Sequence, residues 1–474
     1  MNRKVYLAAD FGGGSGRVIA GWLDNGRLVM EEVHRFGNRQ VKLGDHVHWD
    51  FPALFEDMKE GLKKAASRGY RVESIGVDTW GVDFGLIDRD GNLLGNPVCY
   101  RDARTAGVPE KVAEILNPST HYATTGIQVM EINTLAQLFS MKGSAQLETA
   151  ERLLFMPDLF SYFLTGKATN EYCIASTSEL LDARKRDWSW ETIEALGLPK
   201  RLFGDIVMPG TVRGTLRKDI ADETGLGEVK VVAVGSHDTA SAVAAVPASE
   251  ADGPVAFLSS GTWSLLGVEL EEPILTEDAR KAEFTNEGGV GGRIRFLQNI
   301  TGLWILQRLM AEWKERGEEQ RFDELLPAAE SAVIESRIPV ADAAFMNPSS
   351  MEQAVLAYCE ATSQKVPATK AEITRCVLQS LAEKYREAIE GVNHLLPQPL
   401  QRLHIIGGGS QNALLNQLTA DALGVSVWAG PVEATAMGNI LVQAMAAGEV
   451  ADLTDLRKVV QSSVVPRVFE PQNK

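Results

Sequence analysis

Twice along this chain an apolar run stops at a glycine-rich turn and then resumes. The first turn is Asp10-Phe11-Gly12-Gly13-Gly14-Ser15-Gly16-Arg17, and the second is Ser259-Ser260-Gly261-Thr262-Trp263-Ser264. Two extended runs joined through so few glycine-rich residues pair with each other, so each half of the chain opens on a β-hairpin. The pattern predicts glycine-punctuated hairpins over residues 4–36, 71–95 and 253–270. Asp24-Asn25-Gly26 and Asp88-Arg89-Asp90-Gly91-Asn92 supply the turns of the first two. Between them, Phe51 to Ser67 has helical periodicity behind an Asp50 cap.

A second kind of element is a continuous apolar strand running into a helix. VKVVAVG (229–235) leads into Ser236-His237-Asp238-Thr239 and an Ala/Val-rich helix, and LHIIGGG (403–409) leads into SQNALLNQLTADALG. Strands without polar alternation belong to sheets covered on both faces, so the fold class is α/β. A chain of 474 residues exceeds what one core usually organises. The polar, Pro/Gly-rich stretch at 246–254 predicts a boundary between domains at 1–245 and 255–474. That both begin strand–glycine turn–strand suggests an old duplication.

Composition removes several function classes. The net charge of −16 leaves no excess of basic residues for nonspecific nucleic-acid or anionic-membrane binding. Asp10 ends the first apolar run too early for a signal-peptide core, and no stretch approaches the ~20 apolar residues of a membrane-spanning helix. A cytoplasmic protein is expected, and with no interface signature, a monomer. Cys99, Cys173, Cys359 and Cys376 form no CxxC, so buried thiols are expected rather than a zinc or redox site, although spacing alone allows a Cys359–Cys376 bridge.

The glycine clusters do not fit the commonest nucleotide motifs. There is no GxxxxGK followed by Ser or Thr, no GxGxxG at Gly12–Gly16, and Asp10-Phe11-Gly12 lacks protein-kinase surroundings. Chemically, however, residues without Cβ atoms let a phosphate chain approach several backbone N–H groups. Ser15 and Arg17 add a hydroxyl and a forked cation, and Asp10 suits a hydrated Mg²⁺. Gly407-Gly408-Gly409 sits at a strand-to-helix junction, where bare backbone admits a base and ribose and the helix start favours a phosphate.

These turns, in this order, resemble the sugar kinase/Hsp70/actin superfamily and, more narrowly, the FGGY carbohydrate kinases. DFGGGSGRV, ESIGVDTWGVDFGLID, MPDLFSYFLTG, VGSHDTASAV, LSSGTWSLLG, TNEGG, LQNITGLWILQR, IIGGGSQNALLNQL and AGPVEATAMGN carry the resemblance over residues 5 to 465, and within the family they are most similar to the branch acting on L-rhamnulose. It implies two actin-like (ribonuclease H-like) domains with the active site in the cleft between them. It further implies ATP and Mg²⁺ as cofactors, a small ketose as substrate, and phosphorylation of the 1-hydroxyl of L-rhamnulose. Residue by residue, Gly13, Gly14, Ser15, Gly16 and Arg17 match the first phosphate turn and Thr262 the second, with Gln307 and Gly408 at nucleotide positions. Gly81, His237, Asp238, Thr239 and Asn299 match the sugar pocket, and Asp238 the catalytic base. Fuculose, xylulose or ribulose are the rival substrates, and a non-enzymatic actin-like ATP switch is the rival class.

Other residues carry open readings. Asp238 is expected in the first turn of a helix capped by Ser236, where the helix dipole favours a carboxylate. Asp78 and Asp83 flank Thr79-Trp80-Gly81-Val82 at a five-residue offset that puts them on opposite strand faces, which is no glycosidase pair; one is expected to serve the site and the other a structural bond. His46 and His48 share a strand face that fits a solvated edge better than a metal site. Trp263 and Trp304 are expected in the core, and Asn299 and Gln307 near one helical face.

Overall fold

The computed structural model describes residues 4–249, 253–346 and 348–472. Two compact units share the chain. The first takes residues 4–249 with Leu270–Phe296 and Ala434–Ser463; the second takes 253–269, Leu297–Glu433 and 464–472. The units are therefore interleaved in sequence rather than divided once at mid-chain.

The first unit is built on a six-stranded sheet of β1 (Lys4–Phe11), β2 (Ser15–Asp24), β3 (Arg27–Gly37), β4 (Arg71–Thr79), β5 (Val212–Thr215) and β6 (Lys230–Val232), in the order β3-β2-β1-β4-β6-β5. β1, β4 and β6 run parallel, and the hairpin partners β2, β3 and β5 run antiparallel to their neighbours. The expected turn at Asp24–Gly26 joins β2 to β3. The expected 71–95 hairpin is corrected: β4 is buried between β1 and β6, and Phe84–Ile87 pairs with Arg152–Phe155 instead. The turn at Asp88–Asn92 survives only as a fold-back of Leu93 onto Ile87. The segment Ser74–Thr79 is buried throughout, which a covered central strand achieves and one arm of an exposed hairpin does not.

Helices cover both faces. Phe51–Ser67 forms as the periodicity predicts, with the Asp50 side chain accepting from the Ala53 N–H and Leu54, Met58 and Leu62 buried against the strand residues Leu7, Ala9 and Val77. The other face receives Ala434–Ala446, drawn from far along the chain. It can approach because Gly21 and Gly76 bring no side chain: a Cβ at Gly21 would lie 2.6 Å from Ile440, and one at Gly76 would meet Asn439 and Gln443. Gly438 lets the same helix run against the main chain of Ser241. This close packing joins the segment to the first unit despite the sequence distance.

The second unit repeats the plan. β7 (Ala256–Ser260), β8 (Trp263–Leu270), β9 (Ile294–Thr301), β10 (Arg402–Ile406), β11 (Ser426–Ala429) and β12 (Arg467–Phe469) lie in the order β9-β8-β7-β10-β11-β12. β7 pairs antiparallel with β8 and parallel with β10, β10 parallel with β11, and β11 antiparallel with β12. From β9 through to β11 this matches the first sheet's order from β3 through to β6, so the two sheets share a strand order as well as a similar opening turn. All four cysteines are buried free thiols. Among the described residues, no helix is long and apolar enough to cross a membrane.

Candidate active site

The strand ends of the first unit converge on the segment 236–239. Thr79, the last residue of β4, donates its N–H to the Ser236 carbonyl at 2.9 Å and bridges in parallel to His237. The helix Asp238–Ala244 then begins. Its cap is His237 rather than Ser236, and no side chain makes the capping bond. Ser236 is unsuited because its backbone is occupied by the β4 extension. The Asp238 carboxylate accepts from the Thr239 N–H at 2.6 Å and from the Thr239 hydroxyl at 3.1 Å. It remains one-third exposed, at 33%, which leaves it reachable by a substrate. Thr435 donates to the Asp238 carbonyl at 3.3 Å, tying the helix start to Ala434–Ala446.

Gly81 lies against His237: a Cβ there would stand 3.2 Å from Nε2. The next residue, Val82, has φ of 64°, a conformation a β-branched residue rarely takes. The Asp83 N–H closes this tight turn on the Gly81 carbonyl at 2.8 Å. Thr177 and Thr134 hold Val82 from both sides, the first accepting from its N–H at 3.2 Å and the second donating to its carbonyl at 2.6 Å. Strain kept by surrounding bonds is characteristic of functional turns.

The structure separates the two aspartates that sequence left open. Asp83 is fully buried and accepts from the Trp49 and Trp80 indoles at 2.6 and 2.9 Å, from Gln137 at 3.0 Å and from the Tyr100 N–H at 3.2 Å. Burial pushes its carboxyl up to about 6 despite those donors. It is a structural acceptor that locks Trp80 beside Gly81. Asp78 is equally buried but accepts from Ser241 at 2.6 Å and from the Asn439 amide. Burial first, then the neighbouring charge of Asp10, raises its carboxyl well above the usual range.

Asp10 and Asp78 are register partners on β1 and β4. Across the hairpin, Arg17 is the register partner of Asp10 and donates to it at 2.7 Å. Between them runs the first glycine turn, closed by the Gly12 N–H on the Ser15 carbonyl at 2.9 Å. A Cβ at Gly13 or Gly14 would touch nothing within 4 Å, so this is an open rim of bare backbone able to admit a phosphate chain. Among the described residues, no group of three or more His, Cys, Asp or Glu could hold a metal ion. The His46 and His48 rings, 6.4 Å apart, are engaged elsewhere: His46 Nδ1 lies 3.0 Å from Asp102, and His48 Nδ1 3.0 Å from the Asn96 carbonyl.

In the second unit the three predicted nucleotide positions come together. Thr262 donates to Gln307 at 3.2 Å. Its turn is closed by the Gly261 N–H on the Trp263 carbonyl at 2.9 Å. Gly409 packs so tightly on Ser260 that a Cβ would enter the serine side chain, which brings the Gly407–Gly409 bend beside the second glycine turn. Gly408 itself faces open space. Two expectations are corrected. Asn299 lies on β9 and Gln307 on the helix Trp304–Glu315, so they share no helical face; Gly302 breaks the intervening backbone. Trp263 and Trp304 are only half-buried, because each flanks the glycine turn instead of pointing into a core.

TNEGG and AGPVEATAMGN have no chemistry that their spelling reveals. The structure gives them a role: Asn439 reaches Asp78, and Glu287 and Gly288 reach the surroundings of His237.

Against known proteins, residues 5–245 match the N-terminal domain, and residues 256–447 the C-terminal domain, of the FGGY family of carbohydrate kinases. A rhamnulokinase of Bacteroides thetaiotaomicron is 46% identical over 474 residues, covering 99% of this chain and 96% of that one. One from Oceanobacillus iheyensis is 40% identical over 463 residues, covering 97% of each. Among solved structures, a gluconate kinase from Lactobacillus acidophilus superposes with a TM-score of 0.82 at 16% identity, over 99% of this chain and 94% of that one. A Plasmodium falciparum glycerol kinase with ADP gives 0.78 at 13% identity, over 100% and 95%. With both of its domain types matched in order along nearly the whole sequence, the chain belongs to the FGGY family of carbohydrate kinases.

Proposed function

We propose that this sugar kinase transfers the γ-phosphoryl group of ATP to the 1-hydroxyl of L-rhamnulose, with Asp238 as the general base. The observation that carries the substrate is the 38–46% identity to rhamnulokinases over nearly the full chain. What supports Asp238 is its geometry: a partly exposed carboxylate at a helix start, with His237 and the Gly81 turn beside it.

Phosphoryl transfer asks the protein mainly to position reactants and neutralise charge. The sugar hydroxyl oxygen forms a bond to the γ-phosphorus while the bond from that phosphorus to the bridging oxygen of ADP breaks. The hydroxyl proton passes to the Asp238 carboxylate and later to solvent. His237, Thr239, Gly81 and Asn299 contact the sugar. The amides of Gly13 and Gly14, the Ser15 hydroxyl, Gly16, Arg17 and Thr262 contact the phosphates; Gln307 and Gly408 contact the nucleoside. Asp10 would be the carboxylate facing a nucleotide-bound Mg²⁺, whose charge would offset that of the phosphates. Unpaired buried thiols are in keeping with a cytoplasmic site of action.

A coupled ADP-release assay across L-rhamnulose, L-fuculose, xylulose and ribulose tests the substrate; faster turnover on another ketose overturns it. Asp238→Asn should lower kcat by about 10²–10⁴-fold with ATP binding retained. Near wild-type phosphorylation by that variant would remove Asp238 from its role.

A further inference from the structure

Behind His237 lies an ion pair that phosphoryl transfer itself does not use. Arg295, among the residues 294–296 of β9 that belong to the first unit, is fully buried, and Glu287, on the strand Thr285–Gly288, is nearly so. Arg295 Nε donates to the Gly288 carbonyl at 2.8 Å, Nη1 lies 2.9 Å from Glu287 Oε2, and Nη2 lies 3.2 Å from His237 Nδ1. A guanidinium has donors only, so a bond between it and Nδ1 needs the Nδ1 lone pair. A neutral imidazole then carries its proton on Nε2. That nitrogen is on the side of the reacting residues, 3.4 Å from Asp238 Oδ1 and 3.2 Å from a Cβ placed at Gly81.

Glu287 is the competitor. Its Oε2 is 3.3 Å from Nδ1 and could accept from a proton there, which would turn Nε2 into an acceptor. Burial pushes the Glu287 carboxyl up, but the Arg295 charge, together with the hydrogen bond and charge of His237, brings it below its ordinary value.

We infer that Arg295 is a positioning residue which fixes His237 as the Nε2–H tautomer, so that the histidine offers a donor to an oxygen of the bound ketose, with Glu287 holding the guanidinium in place. This rests on the reading of His237 as a sugar contact.

The first test is ¹⁵N NMR of the histidine side chains in the full-length, ligand-free protein. Seven histidines are present, and the His237 signal is identified by its loss in His237→Gln. The expected spectrum near neutral pH has the proton on Nε2; a proton on Nδ1, or on both nitrogens, overturns the inference. The second test is kinetic. Arg295→Lys keeps a cation for Glu287 but cannot span both partners. Its KM for L-rhamnulose should rise about tenfold, the scale of one weakened buried hydrogen bond, while its KM for ATP stays put. A KM for sugar that does not move, or two KM values that rise together, counts against Arg295 acting through His237. Because the NMR measurement needs no substrate, a chain inactive on L-rhamnulose would sink the functional reading while leaving the tautomer separately decided.

Discussion

The Asn439 side-chain amide donates to the carboxylate of Asp78, and this bond joins two elements 361 residues apart in sequence. It is one link in a buried chain. Asp78 also accepts from Ser241 at 2.6 Å, Asn439 accepts from Gln443 at 2.6 Å, and Gln443 accepts from Ser74 at 2.7 Å while donating to the Leu7 carbonyl at 3.0 Å. Ser241 belongs to the helix that begins at Asp238, and Asp78 precedes the residue tied to Ser236. The network therefore fixes the helix Asp238–Ala244 against β4.

Removing one member should cost more than one ordinary hydrogen bond. Asn439→Ala deprives a buried Asp78 and a buried Gln443 of a partner each, so the loss is on the order of 2–4 kcal/mol. A fall in Tm together with a fall in kcat is expected by thermal unfolding and ADP-release assay. A variant as stable and as active as the wild type would show that the network does not position the helix.

The sheet cores and the glycine turns were legible in the sequence because local pattern decides them. β1 is apolar from Val5 to Ala9 and is followed by glycines, and the helix Phe51–Ser67 needs only its own periodicity and Asp50. What stayed hidden depends on distant chain. Arg71–Thr79 reads equally well as one arm of a hairpin or as a central strand, and only the covering helix Ala434–Ala446 decides between them. Asp78 and Asp83 have the same local spelling; what separates them is that two indoles point at one and an amide from residue 439 at the other. Ser236 was the ordinary choice for a helix cap, and pairing of its carbonyl with Thr79 moved the cap by one residue.

Asp83 predicts a pH dependence of stability. Its carboxyl is raised from 3.8 to about 6 by burial. Between those values the unfolded chain releases a proton that the folded chain retains, so this group's contribution is full below pH 4 and is lost as pH rises toward 6. Asparagine does not titrate. The stability of wild type relative to Asp83→Asn should therefore shrink by about 2 kcal/mol from pH 4 to pH 6, and by about 3 kcal/mol in all from well below to well above that range, because each tenfold difference in proton affinity is worth ~1.4 kcal/mol. Urea unfolding of both proteins across that range measures it, and a difference that is flat or grows with pH contradicts the assignment.

The first glycine turn offers a separation of folding from ligand binding within three residues. A Cβ at Gly16 would enter the ring of Phe36, whose edge packs on Phe11 at 5.5 Å between centroids. Gly16→Ala must displace that ring and should cost about 1–3 kcal/mol of stability. Gly14 is different: its Cβ position is open and its φ is not in the left-handed region, so the fold has no objection to a methyl group there. Only a ligand approaching the backbone would meet it. Gly14→Ala should keep the wild-type Tm while raising KM for ATP about tenfold or more, because the methyl stands between the phosphates and the amides. KM for L-rhamnulose should change little. If Gly14→Ala binds ATP as the wild type does, the phosphates lie elsewhere, and the bare rim between β1 and β2 is a turn and nothing further.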